Sequence, residues 1–158
     1  KNATAYFGAS IEGGNAPSIQ IDASANEMYL AAGSLKTISG YIAAIDDWTP
    51  TATNVLNMGS TSNLSGYYVR VHDFVFAWGS IQIDPTAAGT LTEVRLTLPI
   101  ASNLTSNYNL IGGISRTATA TGIGLITGDT TNDQALLRFI PDTAANAAYG
   151  FWFAYQIK

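Results

Sequence analysis

The chain has 158 residues, of which 47% are hydrophobic and only 11% charged, with seven Lys and Arg against eleven Asp and Glu and a net charge of -4. That length fits about one domain. The hydrophobic content excludes intrinsic disorder, and the absence of any run near the ~20 apolar residues of a spanning helix speaks against membrane insertion. The acidic balance, with Arg70, Arg95, Arg116, Arg138 and three scattered lysines, argues against binding nucleic acid through its phosphates. Without cysteine, disulfide and zinc-cysteine frameworks are impossible. The charged fraction is less than half of the roughly 25% usual in globular chains, so part of the surface is expected to be hidden against copies of the same chain. No signal peptide opens the sequence, and the start at Lys1 without a methionine leads to the expectation of a processed or excerpted C-terminal part of something longer.

Helical periodicity is almost missing, whereas alternation with period two recurs between Gly, Asn, Asp, Ser and Pro clusters, which predicts an all-β chain. Strands are expected over 18–23, 27–31, 39–44, 67–71, 74–84, 91–98, 108–114, 122–128, 133–140 and 148–158. The first 47 residues carry short apolar pairs, Ile19 with Ile21, Met28 with Leu30, Leu35 with Ile38 and Ile42 with Ile45, between turn-forming stretches. No single copy of this segment buries them. A barrel or sandwich is one home for such strands; a β-rich fibre shaft whose core three chains share is the favoured one. Trp48, Thr49 and Pro50 then mark a boundary, giving a shaft or connector over 1–47 and a β-sandwich head over 48–158.

In the head, Val69 and Val71 alternate with Arg70, and Val75, Ala77, Ile81 and Ile83 form an inward series, with Gly79 placed for a bulge or change of phase. Val94, Leu96 and Leu98 alternate with Glu93, Arg95 and Thr97 until Pro99. The chain closes on Tyr149, Phe151, Phe153, Tyr155 and Ile157 in strict alternation, a strand whose rings require a central place in a sheet.

These residues carry a resemblance. The run YYVRVHDFVFAWGSIQIDPTAAGTLTEVRLTLPIASNL, then GDTTNDQALLRF, then FWFAYQI, resembles a C-terminal domain of tailed-bacteriophage tail fibres, tailspikes and other virion fibres; it spans about two thirds of the chain. The upstream NAPSIQIDASANEMYLAAG is similar to segments that precede that domain. The resemblance implies a jelly-roll or related β-sandwich head, assembled as a homotrimer at a fibre tip and contacting a host surface. Two departures stand out: His72 occupies a turn position where the family tends to have glycine, and Phe76 and Trp78 occupy usually polar outward positions.

Phe74, Phe76 and Trp78 fall on one face of their strand and Val75 and Ala77 on the other, so both faces are apolar. Trp152 poses the same question on the last strand. The second face awaits a trimer interface, a stacked carbohydrate or the chain's own N-terminal segment, and sequence alone leaves the three open.

Catalytic and metal chemistry finds thin support. His72 is the only histidine and Asp73 is poorly placed to orient it. Asp46 and Asp47 read as a solvated turn. Asp129 and Asp133 in the loop GDTTND are the weak candidates for an acidic pair or a calcium site, set against ordinary turn hydrogen bonding. GIGLITGD carries no nucleotide fingerprint, and no cofactor is expected. The expectation is therefore a non-enzymatic virion component, extracellular on a phage tail or head fibre. Its homotrimeric head binds a host cell-surface glycan or protein, and its missing N-terminal part joins other virion proteins. The alternatives are a trimerisation or capping domain without a receptor and, further off, a polysaccharide hydrolase.

Overall fold

The computed structural model describes residues 4–8, 18–22, 27–30, 36–37 and 40–41 as backbone strands, and residues 45–119 and 121–158 with their side chains. The chain divides into two compact units, Lys1–Ile42 and Ala43–Lys158. In the first, β1 (Thr4–Gly8), β2 (Ser18–Asp22) and β3 (Glu27–Leu30) form an antiparallel sheet in that order, and β4 (Lys36–Thr37) pairs with β5 (Gly40–Tyr41). The register sets Ile19 opposite Phe7 and Leu30, and Ile21 opposite Ala5 and Met28. Two of the apolar pairs picked out in the sequence thus line up across three strands. Leu35, Ile38 and Ile42 lie outside the described residues, and of the expected strand 39–44 only 40–41 is described.

The second unit holds β6 (Ile45–Trp48), β7 (Ala52–Leu56), β8 (Met58–Val71), β9 (Phe74–Pro85), β10 (Thr92–Thr97), β11 (Leu110–Arg116), β12 (Gly124–Asp129), β13 (Gln134–Phe139) and β14 (Ala147–Gln156). They form one antiparallel sheet in the order β6-β8-β9-β14-β11-β12-β13-β10-β7. The edge strands β6 and β7 are joined by residues 49–51 alone. In a flat sheet with strands ~4.8 Å apart the two edges would stand roughly 38 Å from each other, whereas that connection reaches about 14 Å. The sheet therefore curls into a half-barrel, and its concave side becomes the core.

That core follows from alternation. β9 turns Val75, Ala77, Ile81 and Ile83 inward, and β14, lying between β9 and β11 as its rings require, turns in Tyr149, Phe151, Phe153 and Tyr155. Trp48, at the end of β6, packs edge-on against Phe151 and Phe153 at ring-centroid distances of 6.1 and 5.7 Å. Each large apolar side chain buried in this way contributes about 1.5–3 kcal/mol.

Two expectations are corrected. Residues 75–83 hold a single phase, and the irregularity assigned to Gly79 sits in the facing strand, where β8 bulges between Ser62 and Ser65 with Asn63 at φ 46. Gly79 points inward, where a Cβ would collide with the Ser65 carbonyl oxygen, the Gly66 Cα and the Phe151 ring. The strand expected from Tyr108 starts at Leu110 instead, because Ser106 and Asn109 cap a single 3-10 turn over Asn107–Asn109.

The curl is clasped by Asn57, the one residue between β7 and β8. Its Oδ1 accepts from Thr86 Oγ1 (2.6 Å) and Ala87 N (2.9 Å), and its Nδ2 donates to Ala87 O (2.9 Å) and Thr92 Oγ1 (2.8 Å). Thr92 is fully buried, and Asn57 has φ 54, a conformation that Asn tolerates better than most residues. At about 1 kcal/mol per hydrogen bond, with added strain, Asn57→Ala is expected to lower unfolding stability by about 2–4 kcal/mol. Asn57→Gly relieves the strain only and is expected to fall between. Urea denaturation with an unchanged slope checks both.

Candidate functional site

The alternation that fills the core also dictates the convex face. β9 turns Phe74, Phe76 and Trp78 outward, and β14 turns out Gly150, Trp152 and Ala154. The register then aligns Tyr67, Trp78, Trp152, Gly113 and Leu125 in one row across β8, β9, β14, β11 and β12. Tyr67 stacks on Trp78 with ring centroids 6.0 Å apart, Trp78 lies 5.6 Å from Phe76, and Phe76 stacks on Trp152 at 6.1 Å. Trp152 is 48% and Phe74 51% exposed, while Phe76 and Trp78 are half-buried by their neighbours in the ladder. All four aromatic residues singled out in the sequence thus share one face, and the structure adds Tyr67.

On one side of this row the face stays apolar through Ile45, Val69, Ala154 and Ile111, aligned with Phe76. On the other it becomes small and polar, since Ser65, Ser80, Gly150 and Ser115 form the next row. Asp46 and Asp47, expected in a turn, lie in β6, where Asp47 stands opposite Tyr67 at one end of the row, and two ion pairs lie farther along the sheet. Arg138 pairs with Glu93 at 2.8 Å and Arg95 with Asp129 at 3.4 Å, around a groove on β10, β12 and β13. Contiguous exposed apolar surface of this kind marks an interaction site, and aromatic rings make it adaptable to sugar as well as protein.

Asp129 and Asp133 are committed separately. Asp129 accepts from Thr131 N (3.0 Å), Asn132 N (3.3 Å) and Asn132 Nδ2 (2.8 Å), closing its own turn. Asp133, at φ 53, accepts from Ser102 N (2.9 Å) and Leu104 N (2.8 Å) and so anchors the loop after β10. The same loop is held by Tyr155, whose hydroxyl donates to Ile100 O (2.7 Å). Among the described residues no three of His, Cys, Asp and Glu come together as a metal site. His72 occupies the β8–β9 turn at φ 53, the left-handed conformation in which glycine carries no steric penalty. It lines a groove of ≈ 690 Å³ with Phe74, Tyr108 and Ile111.

Comparison of the chain with family models, curated proteins and solved structures gives no match.

Burial raises the Asp133 pKa, but the N–H groups of Leu104, Ser102 and Asn103 outweigh it and hold the carboxyl below its ordinary 3.8. A carboxyl with a depressed folded value contributes stability that is complete above about pH 4 and lost as the pH falls through the folded value. Asp133→Asn is therefore expected to flatten the loss of stability below about pH 4, as read by urea midpoints across an acid series.

Proposed function

We propose that this chain is a receptor-attachment component of a tailed-phage virion fibre, with a jelly-roll-like head that adheres to a host cell-surface glycan without chemical turnover. The observation that carries the proposal is the outward row Tyr67, Trp78 and Trp152 with Phe76 beside it, large rings left on the convex face of a sheet whose concave face already supplies the core. Leaving such rings exposed gains nothing for a lone chain, whereas covering them with a ligand does. The assembly is a homotrimer. Its basis is the low charge of the whole chain and the apolar line through Phe7, Ile19 and Leu30 across three strands of four and five residues. Three heads per fibre then convert weak single contacts into lasting adhesion through effective concentration.

A second reading, a trimerisation or capping domain with no receptor, is favoured by one feature. The apolar face extends past the rings to Ile45, Phe74 and Ile111, all more than half exposed, which another subunit covers better than a sugar does. Light scattering joined to a glycan array separates the two. The proposal expects three times the 16.6 kDa chain mass, binding to immobilised surface polysaccharide, and a Trp78→Ser, Trp152→Ser double variant that stays trimeric but no longer binds. A double variant that falls apart, from a protein that binds no glycan, establishes the capping reading instead.

A further inference from the structure

Glycines in the strands of the half-barrel differ in what holds them there. At Gly79, Gly112 and Gly124 a Cβ would collide with the carbonyl oxygens of Ser65, Trp152 and Arg138, so close backbone approach demands glycine. Gly150 is different. It lies in β14 near the middle of the sheet, its φ is not left-handed, and a Cβ there would meet only Thr117 Cγ2, at an ordinary 3.7 Å. A central strand gains from a β-branched residue at such a position and loses from glycine. Packing gives no reason for the gap.

What the gap creates is a groove of ≈ 460 Å³ on the convex face. Gly150 is its floor, the indoles of Trp78 and Trp152 form one wall, and Ile123, 70% exposed, with Ser115 forms the other. Ser115, opposite Gly150 in register, sets a hydroxyl beside the bare floor, while Ser80 on the other side of Gly150 pairs its hydroxyl with Ser65 at 3.3 Å. Gly113 continues the floor under the edge of Trp152, whose Nε1 would lie 3.3 Å from a Cβ at that position.

We propose that this groove is a subsite for one uncharged pyranose ring, a deepening that rests on the attachment reading above. A pyranose presents a C–H face that packs on an aromatic ring and a rim of hydroxyls that exchange hydrogen bonds with serine, which is the pairing of surfaces offered here. The size lies within the range of about 300–1,000 Å³ of small-molecule sites. Charge complementarity sets the class. Not one of the residues lining the groove is ionisable: the Arg95–Asp129 and Arg138–Glu93 pairs lie around the separate groove on β10, β12 and β13, and Arg116, next to Ser115 in the chain, is paired with Asp142 at 2.9 Å and does not line the groove. A uronic acid, a sialic acid or a phosphorylated sugar would be desolvated there without a partner, whereas a neutral hexose would not.

The test uses the full chain and tryptophan fluorescence, titrated with methyl glucoside, methyl mannoside, methyl galactoside and N-acetylglucosamine, and in parallel with glucuronic acid and N-acetylneuraminic acid. At least one neutral sugar is expected to bind with a dissociation constant on the order of 1 mM, and both acids roughly tenfold more weakly or not at all. Gly150→Thr fills the floor, and it is expected to keep or raise the melting temperature and to keep the assembly mass while weakening neutral-sugar binding roughly tenfold or more. Trp152→Ala is expected to weaken that binding equally. Equal binding by Gly150→Thr, preference for the acids, or loss of assembly mass in Gly150→Thr would overturn the subsite, the last by making the groove a seat for a second copy. If no monosaccharide binds while the chain still captures immobilised polysaccharide, the subsite fails and the attachment reading stands; if neither binds, both fail.

Discussion

The pairing of β9 with β14 is the constraint on which the rest depends. Ten residues of each strand run in unbroken antiparallel register, from Phe74 opposite Gln156 to Ile83 opposite Ala147. Because successive side chains of a strand point to opposite faces, one register fixes two surfaces at once. Inward it stacks Val75 and Ala77 against Tyr155 and Phe153, and outward it sets Trp78 against Trp152 and Phe76 against Ala154. A slip of one residue would exchange a close-packed aromatic core for an exposed one, so packing energy of several kcal/mol holds the outer row in place although that row adds little to the core itself.

Curling supplies what a single sheet lacks. Closing the concave side lets Phe139 of β13 reach the Tyr149 ring of β14 at 4.8 Å, and Trp48 fills the space over Gly66, where a Cβ would overlap the indole. Asn57 ties the β7–β8 corner to the loop after β9, so the curl is fixed by directed hydrogen bonds as well as by apolar burial. With the core closed on one side, the rings on the other are free for a partner, and the row of Ser65, Ser80 and Ser115 gives them a polar border.

Much of this was legible in the sequence, and the misses have physical causes. Alternation announced β9, β10 and β14, since Val75 to Ile83, Val94 to Leu98 and Tyr149 to Tyr155 each carry a buried phase. The first half of β8 was hidden because MGSTSNLSG offers almost no apolar residue to alternate. Trp48 reads as a boundary marker from its neighbours Thr49 and Pro50, yet it belongs to the core, because a four-residue edge strand with three exposed positions shows no pattern. Asn57 was invisible: its partners lie about thirty residues away, and only the curl brings them together. Phe74, Phe76, Trp78 and Trp152 stood out by phase alone, whereas adding Tyr67, and seeing that Gly150 lies beside Trp152 as an open floor, required the register between strands. Asp129 and Asp133 looked like a possible acid pair in GDTTND, and their hydrogen bonds to backbone N–H groups match the turn chemistry that the same letters encode.

The central claim is that the outer row faces solvent in the assembled protein while the inner row does not. Three tryptophans make this directly measurable, because Trp78 and Trp152 lie on the convex face and Trp48 is buried. Fluorine NMR of 5-fluorotryptophan-labelled protein, with a soluble gadolinium chelate and single Trp→Phe variants for assignment, reads each site separately. The account predicts strong broadening of the Trp78 and Trp152 resonances and a protected Trp48. Equal protection of all three in the free assembly would contradict it, since the rings would then already be covered by another copy of the chain.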